Sequence, residues 1–303
     1  MVKVVKYVLP LITILSFSQS NFNTFLKPVD TLSKSRRNAI IITEASLATV
    51  SLIGLDRLWY ADYERSSFQI INDNNEWLQM DKMGHVFTSY QMGKIGADLL
   101  HWSGVKKEHQ LLYGATLGFG YLTAVEVLDG FSEEWGFSWG DMLANAAGSA
   151  LYISQELLWN EQRIALKYSF HETKFSDQRP DKLGESFLER LLKDYNGQTY
   201  WLSLNVRSFF NSSIIPKWLN VAFGYGGEGM LSGVDADNLS DNQLVNTISR
   251  YRQYYLSLDI DLSRIETKSQ FLSTIFGLIN MIKIPFPTLE FNKNGLAFHL
   301  FYY

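Results

Sequence analysis

Two polar clusters interrupt otherwise apolar helical segments of this chain, and they hold the residues best suited to chemistry. The first is Asp81-Lys82-Met83-Gly84-His85, and the second lies between Glu126 and Asn145. Ionisable groups within apolar segments are costly unless they pair, bind a ligand or face water. The sequence therefore predicts one shared polar site, formed by Asp81, Lys82, His85, Glu126, Asp129, Asp141 and Asn145.

Asp81 and His85 are four residues apart, so they share one face at the start of a helix. Asp81 could orient the imidazole of His85 for general acid–base catalysis, or both side chains could bind a metal ion. The alternative is structural: Asp81 caps the helix and His85 hydrogen-bonds to a neighbouring helix. An isolated D-x-x-x-H pattern favours this structural alternative.

The second cluster places acids at the ends of helical segments. Glu126 lies in the apolar third segment with Asp129 at its end, and a carboxylate there needs a partner, which the first cluster could supply. Asp141 completes an S-x-x-D capping pattern that begins at Ser138. Asn145, among small residues, is expected to be buried and hydrogen-bonded across helices, either for packing or to position a ligand.

Four helical segments must position these clusters. They run over residues 38–60, 82–102, 110–127 and 138–159, and their short connections predict an antiparallel bundle of about four helices within residues 37–170. Small residues that let helix backbones approach closely recur in this region, in a pattern compatible with a membrane-embedded or a compact soluble bundle. These pairs are Gly93 and Ala97, Gly114 and Gly118, and Ala144 and Gly148.

Beyond Asn196-Gly197 the hydrophobic period changes from helical to two, which predicts an antiparallel β region over residues 197–303. The alternation from Tyr254 to Leu262 is its strongest strand signal. An amphipathic helix over residues 269–283 interrupts the strands, and such a helix more often covers a sheet than lies on a membrane. About five strands are visible, fewer than a transmembrane barrel needs. The predicted fold class is therefore α+β.

Composition and charge exclude several classes of function. The chain has 303 residues, a net charge of -4 and no cysteine. Its pI of about 5.8 and the lack of a basic stripe argue against a nucleic-acid partner. Without cysteine there is no disulfide, no thiolate metal site and no lipidated N-terminal cysteine, and no cofactor is indicated. Residues 1–20 combine a basic start, an apolar run and a small-residue exit, which predicts a signal peptide and export.

Taken together, three motifs resemble a known family. They are D-K-x-G-H at residues 81–85, E-x-x-D-G-F-S at residues 126–132 and G-F-S-x-G-D-x-x-A-N-x-x-G at residues 136–148. The set resembles the bacterial domain-of-unknown-function family 2279, described as predicted periplasmic lipoproteins, over roughly residues 59–159. More distantly, it looks like the VanZ-like membrane proteins. The resemblance implies an envelope location and a helical core but no established catalytic residue, and the lack of cysteine departs from the lipoprotein description.

Three functions are compatible with these observations, and the first of them is the one we favour. The first is a non-enzymatic envelope protein of the periplasm or outer membrane, with a buried polar network and with the membrane or an envelope lipid as partner. The second is an enzyme acting on an envelope lipid or glycan, with His85 as acid or base, Asp81 orienting it and Glu126 as partner carboxylate. The third is a metal-binding module that uses His85, Asp81, Glu126 and Asp129. A cleft at His85 would favour the enzyme, a sealed network would favour the structural protein, and converging ligand atoms would favour the metal site.

Overall fold

A computed structural model describes residues 22–57, 64–210, 212–234 and 249–302 of the chain. The predicted signal peptide over residues 1–20 lies outside the described residues. The first half of the chain is mainly helical, and the second half is mainly a sheet. The long helices of the first half are α1 (Lys34–Leu55), α2 (Met80–Trp102), α3 (Leu117–Asp129) and α4 (Trp139–Leu158).

Helices α2, α3 and α4 pack against one another through small residues. A Cβ atom built on Gly118 would lie 2.4 Å from the Ser89 carbonyl oxygen, so α3 and α2 are in backbone contact there. Helix α1 differs, because Ile40 is its buried residue and most of its apolar side chains are exposed. A bundle of four helices is therefore not confirmed; the structure shows three closely packed helices with α1 outside their core.

Shorter elements connect these helices and position their ends. Strands β1 (Ile70–Ile71) and β2 (Phe137–Ser138) form a two-stranded parallel sheet that joins the segment before α2 to the segment before α4. The short elements are β1 (Ile70–Ile71), β2 (Phe137–Ser138), the 3-10 turns Glu76–Gln79 and Leu262–Arg264, the π-helical turn Gln110–Gly114, and the helices Lys107–His109, Phe175–Gln178, Pro180–Leu183, Phe187–Lys193 and Val206–Phe210.

A six-stranded antiparallel sheet forms the second half of the described chain, with its strands in sequence order. Its first strand lies within residues 37–170, the range predicted for the bundle, because Ile164–Phe170 alternates with period two and pairs with the next strand. The predicted helix over residues 269–283 is shorter, and the chain beyond it hydrogen-bonds to the edge of the first strand at Tyr168. The bounds are β3 (Ile164–Phe170), β4 (Gln198–Asn205), β5 (Leu219–Glu228), β6 (Tyr251–Ile260), α5 (Gln270–Ile279), β7 (Phe286–Asn292) and β8 (Gly295–Tyr302).

The two faces of the sheet have opposite polarity. On one face, which we call the inner face, the side chains are mostly polar and buried, including Lys167, Ser203 and Asp259. The other face, called the outer face, is apolar, and helix α2 covers only its β3–β4 end, where Phe87 packs on Tyr168 and Tyr200. The large apolar side chains exposed on the outer face are Leu202, Phe223, Tyr254, Leu258, Phe291, Leu296, Phe298 and Leu300. Arg252 is exposed on the same face, near one end of β6.

A buried charge cluster lies on the inner face. Lys167 Nζ is 2.8 Å from Asp259 Oδ2, and both side chains are fully buried. Lys283 Nζ lies 3.9 Å from Asp259 Oδ1 and 5.0 Å from the ring centroid of Trp201. Ser203 donates a hydrogen bond of 2.7 Å to Asp259 Oδ2. One carboxylate therefore faces two lysines in the interior of the sheet.

The buried lysine Lys283 should make the stability of the protein depend on pH. Burial lowers the pKa of Lys283 to about 8, against a smaller opposing effect of Asp259. Between pH 8 and the ordinary pKa of 10.5, the unfolded chain then binds more protons at this residue than the folded chain. The contribution of Lys283 to the free energy of unfolding should therefore rise with pH across this window.

Urea denaturation of the wild type and of Lys283→Met between pH 7.5 and 10.5 measures this contribution. We expect the free energy of unfolding to climb less steeply with pH in Lys283→Met than in the wild type. Lys268→Met, at an exposed lysine, is the control and should keep the wild-type slope. Equal slopes in all three proteins would contradict the prediction.

Candidate functional site

A strained turn fixes the start of helix α2 and with it the first polar cluster. Trp77, Leu78 and Gln79 have φ angles of 46, 52 and 65°, in the left-handed region that residues other than glycine rarely adopt. Long-range contacts hold this turn: the Trp77 amide donates to the Gly233 carbonyl at 2.7 Å, and Arg252 donates to Gln79 Oε1 at 2.6 Å. The first turns of α2 are thereby fixed relative to the sheet.

The start of helix α4 is capped by two residues from different segments. Ser138 is the N-cap, and its Oγ accepts a 3.2 Å hydrogen bond from the Asp141 amide. The amide of Ser138 donates to Glu126 Oε2 at 3.0 Å. In a reciprocal capping box the residue at Asp141 would accept that bond. Because Glu126 accepts it instead, the carboxylate of Asp141 is available to the groups on α2.

Lys82 lies among three aspartates. Its Nζ is 2.6 Å from Asp73 Oδ2, 3.3 Å from Asp81 Oδ2 and 2.8 Å from Asp141 Oδ1. Burial lowers the pKa of Lys82, but the charges of Asp81 and Asp141 outweigh it and hold the pKa above its ordinary value. Lys82 is therefore a permanent cation that links the loop before α2 to helix α4.

His85 is held in one tautomer and orientation by Asn145. The His85 Nδ1 atom is 3.0 Å from Asn145 Oδ1. Because an amide oxygen only accepts hydrogen bonds, Nδ1 carries the proton in this arrangement. The structure thus differs from the predicted role of Asp81, since Asn145 orients the imidazole and Asp81 Oδ1 lies 3.8 Å from Nε2. Asp81 does not cap the helix either; it accepts a hydrogen bond of 2.9 Å from the Tyr195 hydroxyl.

Three carboxylates face the other ring nitrogen of His85. Nε2 lies 3.8 Å from Asp81 Oδ1, 3.7 Å from Glu126 Oε1 and 3.8 Å from Asp141 Oδ1. Burial lowers the pKa of the imidazole, but these negative charges outweigh burial and raise it above its ordinary value. The site therefore favours a positive charge at this point.

The acids of the site are themselves perturbed. Burial raises the pKa of Glu126 to about 8. Burial and then the charge of Asp81 raise the pKa of Asp141 to about 7. The opposite holds for Asp73, where hydrogen bonds from Lys82 and Ser138 outweigh burial and lower the pKa. The cluster thus contains more acidic groups than its one lysine can neutralise.

A pocket opens next to this cluster, between the helices and the sheet. Its volume is about 280 Å³, and Asp81 and His85 are among its lining residues. Aromatic side chains from both halves of the chain form much of its wall, including Tyr168, Tyr195 and Tyr200. The polar cluster is therefore open to a small molecule on one side.

Of the seven residues that the sequence indicated, six lie close together in the structure. Asp81, Lys82, His85, Glu126, Asp141 and Asn145 converge between α2, α3 and α4. Asp129 lies at the end of α3, one turn past Glu126, and its charge contributes to the raised pKa of that residue. Asp129 is not among the carboxylates that face His85 Nε2, which are those of Asp81, Glu126 and Asp141.

Two further residues of the site were not recognised from the sequence. Asp73 accepts hydrogen bonds from Lys82 and from Ser138 Oγ, each of 2.6 Å. It lies in the polar run Asn72-Asp73-Asn74-Asn75, which is typical of an exposed loop. Tyr195, which donates to Asp81, lies more than a hundred residues away in the chain, and no spacing signal points to it.

Comparison with known proteins places this site within a known family model. Residues 68–155 match the family model described as "Predicted periplasmic lipoprotein (DUF2279)". The match includes every residue of the cluster except Tyr195. It supports an exported protein of the periplasm or envelope, although the sequence contains no cysteine to carry a lipid. The more distant resemblance to VanZ-like membrane proteins is not supported. No curated protein and no solved structure matches the chain.

Proposed function

We propose that this chain is a membrane-associated protein of the cell envelope, which contacts lipid through the outer face of its sheet. The observation that carries the proposal is the reversed polarity of that sheet. Antiparallel sheets of water-soluble proteins commonly bury an apolar face and expose a polar one. Here charged and polar side chains are buried, and apolar side chains of five adjacent strands are exposed.

The strand register organises the outer face into rows. One row across six strands is entirely aliphatic or phenylalanine, from Leu166 on β3 to Phe298 on β8. The next row on the same face, from Tyr168 to Leu296, contains four tyrosines and a phenylalanine. An apolar band beside an aromatic row is the arrangement of membrane-facing strands at the water interface.

Helix α1 supports the same conclusion. The helix has 22 residues, and its most apolar 18-residue window has a mean hydropathy of 1.6, with 6% of that window buried. Length and composition allow α1 to cross a membrane. The segment Lys107–Asp129 passes the same test, but it packs on α2 and carries Glu126, so we treat it as part of the folded body.

We also propose that the protein lies at the outer membrane. Strands with an apolar outer and a polar inner face are typical of outer-membrane proteins. A closed membrane barrel has about eight strands or more, and the sheet in the described part of the chain has six. We therefore place the sheet at the outer membrane as a one-sided lipid contact rather than as a pore.

Vesicle flotation tests the lipid contact. The full chain should float with vesicles of phosphatidylethanolamine and phosphatidylglycerol, and the double variant Leu296→Asp/Phe298→Asp should lower the floated fraction about tenfold or more, because two apolar contacts are lost. Leu157→Asp/Leu158→Asp, at exposed positions on α4, is the matched control and should float like the wild type. A wild-type chain that stays with the soluble fraction, or a β8 variant that floats normally, would refute the proposal.

The pocket favours a second candidate function. A purely structural network would be sealed, whereas Asp81 and His85 line a pocket with aromatic walls. The alternative is therefore an enzyme that acts on an envelope lipid or glycan, with His85 as acid or base and Glu126 as the partner carboxylate. This role requires that no metal ion is bound to Nε2, and zinc titration of the full chain tests that condition.

A further inference from the structure

Four acceptor atoms converge at the polar cluster: His85 Nε2 and one oxygen each of Asp81, Glu126 and Asp141. Asp81 Oδ1 already accepts a hydrogen bond from the Tyr195 hydroxyl. Asn145 accepts from Nδ1 of His85, which leaves the lone pair of a neutral Nε2 directed away from Asn145. Nε2 lies 3.7–3.8 Å from each of the facing oxygens, which belong to Asp81, Glu126 and Asp141. These distances exceed those of hydrogen bonds, so a proton on Nε2 would satisfy none of the three oxygens.

Asp141 provides a second, independent observation. Its side chain is 5% exposed, and its Oδ1 atom has no hydrogen-bond partner among the described residues. Lys82 Nζ is 2.8 Å from this oxygen, but it makes its hydrogen bond to Oδ2 instead, at 2.9 Å. Asp141 Oδ1 therefore has the charge of Lys82 beside it but receives no hydrogen bond from the described part of the chain, and such a buried carboxylate oxygen can accept a further cation.

The charge of the cluster points in the same direction. Three carboxylates, those of Asp73, Asp81 and Asp141, surround a single lysine, whose shortest contact is with Asp73. The carboxyl group of Glu126 lies on the other side, 3.7 Å from His85 Nε2. Lys82 therefore balances Asp73 most directly, and the carboxylates of Asp81 and Asp141 beside His85 are less completely balanced. A second cation beside Nε2 would compensate them.

We propose that Asp81 Oδ1, His85 Nε2 and Asp141 Oδ1 bind a divalent transition-metal ion. The candidate ligand atoms of these three residues lie within 4.8 Å of one another. Two ligands at about 2.1 Å from one ion are separated by roughly 3.4–3.7 Å. The distances from Nε2 to the two aspartate oxygens, 3.8 Å each, lie within a few tenths of an ångström of this range. One imidazole and two carboxylates suit zinc and similar ions, and the tautomer set by Asn145 is the one that metal-bound histidines adopt.

The proposal assigns distinct roles to the neighbouring residues. Glu126, 3.7 Å from Nε2, lies beside the ion with one oxygen held by the Ser138 amide. Because Asp81 and His85 also line the pocket, the open coordination position would face it. Under this assignment His85 is a metal ligand and not a free base.

Zinc binding to the full chain, stripped of metal with a chelator, tests the proposal by isothermal titration calorimetry. We expect one zinc ion per chain in the wild type and at least a hundredfold weaker binding in His85→Ala and in Asp141→Asn. His299→Ala is the matched control, because it removes a histidine that pairs with a carboxylate elsewhere, Glu290 at 2.7 Å, and it should bind zinc like the wild type. Cobalt(II) bound in the same site should show visible absorption of a four- or five-coordinate ion.

A thermal melt of Lys82→Met keeps the test decisive if the ligand variants do not fold. Without metal, this variant leaves the acids around Lys82 uncompensated and should melt at a lower temperature than the wild type. With zinc, a second cation at Asp141 should restore much of the lost melting temperature. The proposal is overturned if the wild type binds no zinc, if Asp141→Asn binds zinc like the wild type, or if zinc does not protect Lys82→Met.

Discussion

Replacing Asp259 by alanine should destabilise the protein by about 3–5 kcal/mol, the usual cost of breaking a buried ion pair by removing one partner. Asp259 is the carboxylate that faces both Lys167 and Lys283 in the interior of the sheet, at 2.8 and 3.9 Å. Without it, two fully buried ammonium groups lie in the interior of the sheet with neutral hydrogen-bond acceptors, such as the Ile260 carbonyl and the Ser257 hydroxyl, in place of their shared carboxylate. Urea denaturation at pH 7 measures the change in the free energy of unfolding.

A surface ion pair provides the control for this prediction. Lys94 and Asp98 also form a close pair, but the side chain of Asp98 is 56% exposed. Asp98→Ala should therefore leave the unfolding midpoint nearly unchanged, because water and salt screen such pairs. If Asp259→Ala unfolded at the same urea concentration as Asp98→Ala, the inner-face cluster would not contribute to stability, and our description of the sheet interior would be wrong.

The polarity of the sheet shows what alternation in a sequence can and cannot predict. The period of two in β6 indicated a strand because Tyr254, Leu256 and Leu258 alternate with Tyr255, Ser257 and Asp259. Alternation alone does not say which set is buried. That depends on the partners that the chain brings to each face, and Lys167 and Lys283, far away in sequence, surround Asp259. The strands were therefore predictable, while the burial of their polar side was not.

The candidate site was largely predictable because its residues occur in local patterns. Asp81 and His85 share a face by helical spacing, and the S-x-x-D pattern located the start of α4. The hydrogen bond between His85 and Asn145 joins two helices and could be anticipated only as a crossing contact. Tyr195 comes from the connection before the sheet, so its contact with Asp81 depends on tertiary packing that no local pattern encodes.

The secondary structure was mispredicted where two periods meet. Ile164–Phe170 follows α4 after a short turn, and its apolar residues extend the helical pattern by a few positions. Its buried Lys167, however, fits neither a bundle core nor an exposed helix face. The residue is explained only by its pairing with Asp259 across the sheet. Lys167, a charged residue in a segment interpreted as part of an apolar helix bundle, was the one feature of the sequence that could have indicated this strand.

Gly148→Ala should damage both the fold and the candidate site, because Gly148 lies where α4 crosses α2. A Cβ atom at this position would lie 2.2 Å from the Val86 carbonyl oxygen and 2.9 Å from the Tyr90 amide nitrogen. Backbone atoms cannot rotate away as a side chain could, so the two helices must separate. Overpacking of this kind costs about 1–3 kcal/mol, and more where the backbone cannot relax.

Separation of α2 from α4 would also lengthen the contacts that define the cluster. The Lys82–Asp141 ion pair and the His85–Asn145 hydrogen bond both join these two helices, at 2.8 and 3.0 Å. Gly148→Ala should therefore lower the melting temperature and weaken zinc binding together. Gly120→Ala on α3 is the matched control: nothing lies within 4 Å of the added Cβ, and the better helix former should leave stability equal or slightly higher. Equal melting temperatures for the two variants would show that the α2–α4 contact can relax. The convergence of side chains at His85 would then not depend on a rigid contact between these helices.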